Sequence, residues 1–290
     1  MRRLFLVFIS VLFLQAYLLA QLSDTTLQSF YTINKTVVEK SNEYGASKVL
    51  VVLDVDNTML KSDSDLGSDL WYRWQRNKLE IKPKAYQKLA DSCLFSEAIP
   101  LLYDLGTMSL TEHSLKNHIT DWQNKGVTVI GLTSRSPLCR MATERDLLQN
   151  GINLKKTQLR AIDGSKLILN DKLGRELSYA NGLMMTSGMH KGKMLGHILG
   201  RSGKKYDAII FVDDTRKNID NVKQDFKKFG RIELSLFYYT KVFSERKQEN
   251  EGQLLTQDQA DNMAKDWEEL IIFLNSKFPE RREKCSCIVQ

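Results

Sequence analysis

The sequence predicts an α/β fold in which a buried parallel sheet is flanked by helices and interrupted by a helical insert. Three runs point to it: Val49-Leu-Val-Val-Leu53, Val127 to Thr133, and Ala208-Ile-Ile-Phe-Val212. Each is apolar or β-branched and has the length of a strand buried on both faces. Helical patterns separate the runs, as the crossovers of a parallel sheet require. Each run also breaks into polar residues, Asp54-Val-Asp56 after the first, Thr133-Ser-Arg135 at the second and Asp213-Asp214 after the third. The carboxyl ends of parallel strands face the crevice in which open α/β folds bind ligands, so these residues are expected in one cleft.

With 290 residues, the chain is long enough for one large domain or a domain with a substantial insert. A hydrophobic content of 42% and a charged content of 27% belong to a globular protein with a real core. The net charge of +7 is spread among acids along the whole chain. No basic helix, zinc spacing or RNA-binding signature accompanies it, so nucleic acid is not an expected partner.

Taken in order, Met1-Arg-Arg followed by the apolar run Leu4 to Ala20 reads as a signal peptide over residues 1–20, with export to the periplasm or beyond. Thr25 to Lys40 reads as an amphipathic helix packed on the core within residues 21–47, ended at Tyr44-Gly-Ala. The core is expected over residues 48–61 and 126–278. Residues 62–125 show helical patterns around Trp71 to Asn77, Lys84 to Ala90, Glu97 to Leu105 and Leu110 to Lys125, with no strand alternation, and read as the insert. Pro137 opens a helix that Gly151 stops. Residues 153–179 hold at most short strands, Ala161-Ile162 and Lys166 to Leu169, and Gly182 to Gly188 reads as another. Helices follow at His190 to Leu199, Asn218 to Phe229 and Thr256 to Lys277, with a strand at Leu234 to Tyr239 and a solvated loop at Glu245 to Gln253. Residues 279–290 read as a flexible tail.

Four stretches carry chemistry: Asp54-Val-Asp56-Asn-Thr58, Thr133 in Gly-Leu-Thr-Ser-Arg135, Lys191 in His-Lys-Gly192, and Asp213-Asp214. Together they resemble the haloacid dehalogenase (HAD) superfamily of aspartate-nucleophile phosphatases, over about residues 48–240. The resemblance implies a Rossmann-like sheet with a cap, the insert here taking the place of the family's first cap type. It implies that Asp54 attacks phosphorus, that Asp56 protonates the leaving alcohol and later activates water, and that Thr133 and Lys191 hold the phosphoryl group. Ser134 is a second choice for the hydroxyl, and Lys193 for the ammonium. Thr58 is expected to orient Asp56 by a hydrogen bond. The resemblance further implies Mg2+ held by Asp54, the backbone carbonyl of Asp56 and Asp213, with Asp214 acting either through a metal-bound water or by orienting Lys191; hard oxygen ligands without a matching His/Cys set favour Mg2+ over zinc.

The expected substrate is a phosphorylated small molecule, with a phosphopeptide as the larger alternative. A phosphotransferase and a non-catalytic interaction protein are the competing readings. Arg135 and Arg216, each beside a motif, are candidates either for contacting substrate anions or for bracing their loops, and Trp71, Tyr72, Arg73, Trp74 and Arg76 are either pocket or cap core. The four histidines, His113, His118, His190 and His197, suggest no site of their own. Cys93 and Cys139 are expected either to pair in an oxidising compartment or to remain buried thiols. Cys287-Ile-Val-Gln290 matches a prenylation box, the one route by which a host membrane would become a partner.

Overall fold

A computed structural model describes residues 22–227 and 232–280. The expected signal peptide and the cysteines at 285 and 287 lie outside these residues. Among the described residues, ten strands occur in chain order: β1 Leu22–Leu27, β2 Val49–Leu53, β3 Leu60–Ser62, β4 Met108–Leu110, β5 Thr128–Thr133, β6 Leu169–Leu173, β7 Arg175–Ala180, β8 Leu183–Met185, β9 Ala208–Asp213 and β10 Glu233–Tyr239. Eight of them form one sheet in the order β1-β10-β9-β2-β5-β8-β7-β6. It is parallel from β1 to β8, and an antiparallel hairpin, β6 with β7, extends it.

The α/β, Rossmann-like architecture is that expected from the sequence. Val49, Val51 and Leu53 point into one hydrophobic cluster while Leu50 and Val52 point into the other, so β2 is buried on both faces. Helices α1 Phe30–Tyr44 and α4 Leu115–Asn124 cover the first face, through Phe30, Ile33, Val37, Leu115, Ile119 and Trp122. Of the remaining helices, α2 is Asp69–Gln75, α3 Ile99–Leu105, α5 Arg140–Gln149, α6 Lys191–Ser202 and α7 Arg216–Phe226. Helices α6 and α7 cover the second face.

Register sets the site. Leu53 lies opposite Gly131 of β5 and Val212 of β9, so Asp54, Thr133 and Asp213 all emerge at the same end of three adjacent strands. A side chain at Gly131 would meet Leu183 Cδ1 at 2.8 Å and Leu154 Cδ1 at 3.0 Å, which keeps this strand position small.

Several boundaries differ from the sequence reading. The first helix begins at Phe30, because the Ser29 hydroxyl accepts the Tyr31 amide and caps it; Leu22–Leu27 instead forms an edge strand beside β10. The insert narrows to the segment between β3 and β4, which pair as an antiparallel ribbon; α4, read as part of the insert, belongs to the sheet's core cluster. The 85–87 segment forms only a short 3₁₀ turn where a helix over Lys84 to Ala90 was expected. The hairpin around Gly174, whose φ of 84° suits glycine, was not foreseen. Lys241–Glu249, expected in part as loop, is a helix, α8, with an ion pair between Lys241 and Glu245 one turn apart.

The C-terminal helix α9, Gln257–Lys277, lies where the sequence placed it, but its packing partner was not foreseen. It starts in a capping box between Thr256 and Gln259. Its Ala260 and Met263 join Leu70, Trp71, Trp74, Leu94 and Leu102 of the insert in a separate core, with the Trp71 and Trp267 rings 5.7 Å apart. A second core is therefore built from both the insert and α9. Truncating Trp71 to alanine should cost about 3–5 kcal/mol in urea unfolding, the range for a buried tryptophan; a loss under about 1 kcal/mol would mean that the two segments do not share a core. Cys93 is disulfide-bonded while Cys139 is buried and free, so the Cys93–Cys139 bridge does not form.

Candidate active site

Asp54 directly follows β2, and its amide donates to the Val212 carbonyl at 3.0 Å, which anchors it to β9. The chain then turns tightly: the amides of Met59 and Leu60 both donate to the Val55 carbonyl, at 3.0 and 2.9 Å, and Asn57 takes a left-handed φ of 55°. This turn sends Asp54 and Asp56 in different directions, and their surroundings differ accordingly.

The Lys191 ammonium bridges two carboxylates, 2.6 Å from Asp54 Oδ1 and 2.7 Å from Asp213 Oδ2. Lys191 is the first residue of α6 and is fully buried; Lys193 is exposed, which decides between the two lysines as to location. Gly192 allows this placement, because a side chain there would meet the Asn221 carbonyl at 2.4 Å and push α6 off α7. His190 serves as the helix cap, its Nδ1 accepting from the Lys193 amide at 3.4 Å.

Asp213 is held on its other oxygen by the Thr215 amide at 2.9 Å and the Asn218 side chain at 3.0 Å. Asp214 accepts from Asn57 Nδ2 at 3.1 Å and from the Thr215 hydroxyl at 3.1 Å. Asp54, Asp213 and Asp214 each offer a carboxylate oxygen within 4.8 Å of one another, and all three are buried. Burial, then the charges of Asp213 and Asp56, push the Asp54 carboxyl up to about 8 against the pull of Lys191. Burial also raises Asp214 well above the ordinary carboxylate range, with Asp69, Asp54 and Asp213 adding to it. Burial works against the Lys191 ammonium, but the neighbouring Asp213 and Asp54 outweigh it and raise its pKa. One ammonium thus faces three crowded acids, an arrangement that a divalent cation would relieve.

Asp56 lies outside this trio. Its carboxylate receives a two-pronged contact from Arg135, Nε to Oδ2 at 3.0 Å and Nη2 to Oδ1 at 2.7 Å. The buried guanidinium stacks 3.8 Å from the Tyr103 ring centre, and its Nη1 donates to the Thr143 hydroxyl at 2.8 Å. Tyr103 belongs to cap helix α3, so the cap reaches the Asp56 carboxylate through it. The sequence reading gave the orienting role to Thr58. Its hydroxyl is instead buried without a hydrogen-bond partner, and Arg135 holds Asp56 in its place.

Thr133 ends β5, buried; its hydroxyl oxygen accepts the Arg135 amide at 3.1 Å, which leaves the hydroxyl hydrogen available for another acceptor. Ser134 beside it is exposed. Arg216 is not aimed at the cleft: it forks onto Asp24 of the edge strand, at 2.8 and 2.6 Å. Trp71 and Trp74 are cap core, but Arg73 is not. It pairs with Asp69, and the Asp69 and Asp214 carboxylates both receive Asn57 Nδ2, at 3.4 and 3.1 Å. Asn57, Asp69 and Asn218 went unread in the sequence; Asn57 reaches Asp214 only through long-range folding, whereas the Asp69–Arg73 and Asn218–Asp213 contacts are local. The histidines remain apart: His118 stacks near Trp122, His197 pairs with Asp171, and His113 is exposed.

A family model matches residues 26–280, which include every site residue named above as well as α9. The chain belongs to the DUF2608 family, described as proteins of unknown function. It is also similar to a Chlamydia pneumoniae protein named "Putative outer membrane protein", at 21% identity over 203 residues, covering 67% of this chain and 71% of the relative.

Proposed function

We propose that the chain is an HAD-type phosphatase that hydrolyses a phosphomonoester through an aspartyl-phosphate on Asp54, with Mg2+ as its cofactor. The observation that carries this reading is the Lys191 ammonium clamped between Asp54 and Asp213 at a common strand end, with Asp56 held separately two residues along. Phosphoryl transfer needs alignment and charge neutralisation, and these groups supply both.

In the proposed reaction an Asp54 oxygen attacks phosphorus as the bond to the ester oxygen breaks, and Asp56 gives that oxygen its proton. Asp56 then takes a proton from water, the water oxygen attacks the same phosphorus, and Asp54 leaves with its carboxylate restored. Lys191 and the Thr133 hydroxyl stabilise the phosphoryl oxygens. Asp54, Asp213 and Asp214 fit a hard divalent cation because their donors are all carboxylate oxygens, buried and within 4.8 Å of one another, and the backbone carbonyl of Asp56 would complete the protein ligands. Mg2+ bound there would neutralise the charge of the phosphoryl group.

A cap over the cleft suits a phosphorylated small molecule. Export is part of the proposal: the charged start and apolar run at residues 1–20, the Cys93 disulfide and the name of the Chlamydia relative support it. The test is phosphate release from a panel of phosphometabolites and aryl phosphates. Release that requires Mg2+ and stops with EDTA is expected; no release from any substrate in Mg2+ would overturn the reading. Adding an alcohol acceptor separates hydrolysis from phosphotransfer by the product formed.

A further inference from the structure

At the end of the sheet away from Asp54, the starts of β5 and β9 frame a cavity of about 360 Å³. Three cations line it, Lys156, Arg160 and Lys204, together with the hydroxyls of Thr128 and Ser202 and the side chain of Tyr206; no carboxylate does. Among the described residues all three cations find only neutral partners. Lys156 reaches the Asn124 side-chain oxygen, Arg160 donates to the Gly164 carbonyl at 3.0 Å, and Lys204 donates to the Thr128 hydroxyl at 2.9 Å. Many of the chain's other basic side chains, by contrast, meet an acid. Burial, with the nearby charge of Lys48, lowers the pKa of Lys204, as expected where positive charge is uncompensated. The Tyr206 hydroxyl is buried at the same wall without a well-formed hydrogen bond.

We propose that this cavity is a second binding site, separate from the Asp54 cleft, for a ligand bearing a phosphate-type polyanion. Lysine ammoniums and an arginine fork beside the Thr128 hydroxyl suit phosphate oxygens, and the volume leaves room for an organic body beyond the anion; the Ser202 hydroxyl is already committed to the Leu199 carbonyl. The shared chemistry is a phosphate group, supplied either by a soluble phosphate or by a phospholipid headgroup. The site does not depend on the phosphatase reading.

The test is calorimetric titration of inorganic pyrophosphate into the full chain in EDTA, beside co-sedimentation with phosphatidylcholine vesicles containing phosphatidylglycerol. Both are repeated on the double variant Lys156→Ala/Lys204→Ala, whose exposed positions spare the core. Losing these charge-assisted contacts should weaken binding by about tenfold or more. Loss of pyrophosphate affinity assigns a soluble ligand, and loss of vesicle binding alone assigns a headgroup. If the variant binds both probes as the parent does, or the parent binds neither, the proposal is overturned. Aryl phosphate turnover should be the same in both proteins, which separates this site from the cleft.

Discussion

Asp54→Asn is expected to lower aryl phosphate turnover by about 10⁴-fold or more, the scale on which loss of a nucleophile acts. Asparagine keeps the shape and the amide anchor to Val212 but cannot form the acyl phosphate. The substitution should leave the fold intact and, without metal, strengthen it. Burial raises the folded pKa of Asp54 above its unfolded value of 3.8 to about 8. The stability that this shift contributes is therefore full below about pH 4 and is lost as pH rises through about 8. An asparagine side chain at this position does not titrate and carries no such dependence. Thermal melts in EDTA should thus show the variant gaining on the parent as pH rises from about 5 to 8. A variant that stays folded and turns substrate over at the parental rate would exclude Asp54 as nucleophile.

Arg135→Met is the second large effect. Arg135 is a positioning residue: it fixes the Asp56 carboxylate with two hydrogen bonds and rests on Tyr103 of the cap. Without it, a general acid worth about 10²–10⁴-fold is released from its place. The loss should fall on alkyl phosphates, whose leaving oxygen needs a proton, and much less on nitrophenyl phosphate, whose leaving group departs without one. Arg135→Lys should recover little, because an ammonium cannot make the two-pronged contact. Equal losses for both substrates would reduce Arg135 to a structural support.

The central strands were legible because burial on both faces leaves an unbroken apolar run, and the acids stood out because each ends such a run. Lys191 was preferred over Lys193 on the Lys-Gly-x-x-Leu pattern at a helix start, and it is Lys191 that lies buried between Asp54 and Asp213; the close packing of two helices that Gly192 permits could not be read there. Arg135 was read either as a substrate contact or as a brace for its loop; it is a brace, but nothing local announces that its partner is Asp56, 79 residues away. Thr58, close to Asp56 in sequence, looked the better orienting residue, yet the tight turn at Asn57 buries its hydroxyl elsewhere. The same gap explains the second core. Trp71 and Trp267 belong to one core but stand far apart in the chain, and an amphipathic C-terminal helix carries no mark of which apolar surface it will cover. The edge strand β1 was missed because its polar, exposed pattern resembles neither a buried strand nor a half-buried one.

The most direct measurement is rapid acid quench of the full chain with a substrate labelled at phosphorus, in Mg2+, followed by peptide mapping. The account predicts transient label on the peptide holding Asp54, stable in acid and released by hydroxylamine, and none in Asp54→Asn. Turnover to labelled phosphate with no covalent label at any quench time, or with label on another residue, would contradict it.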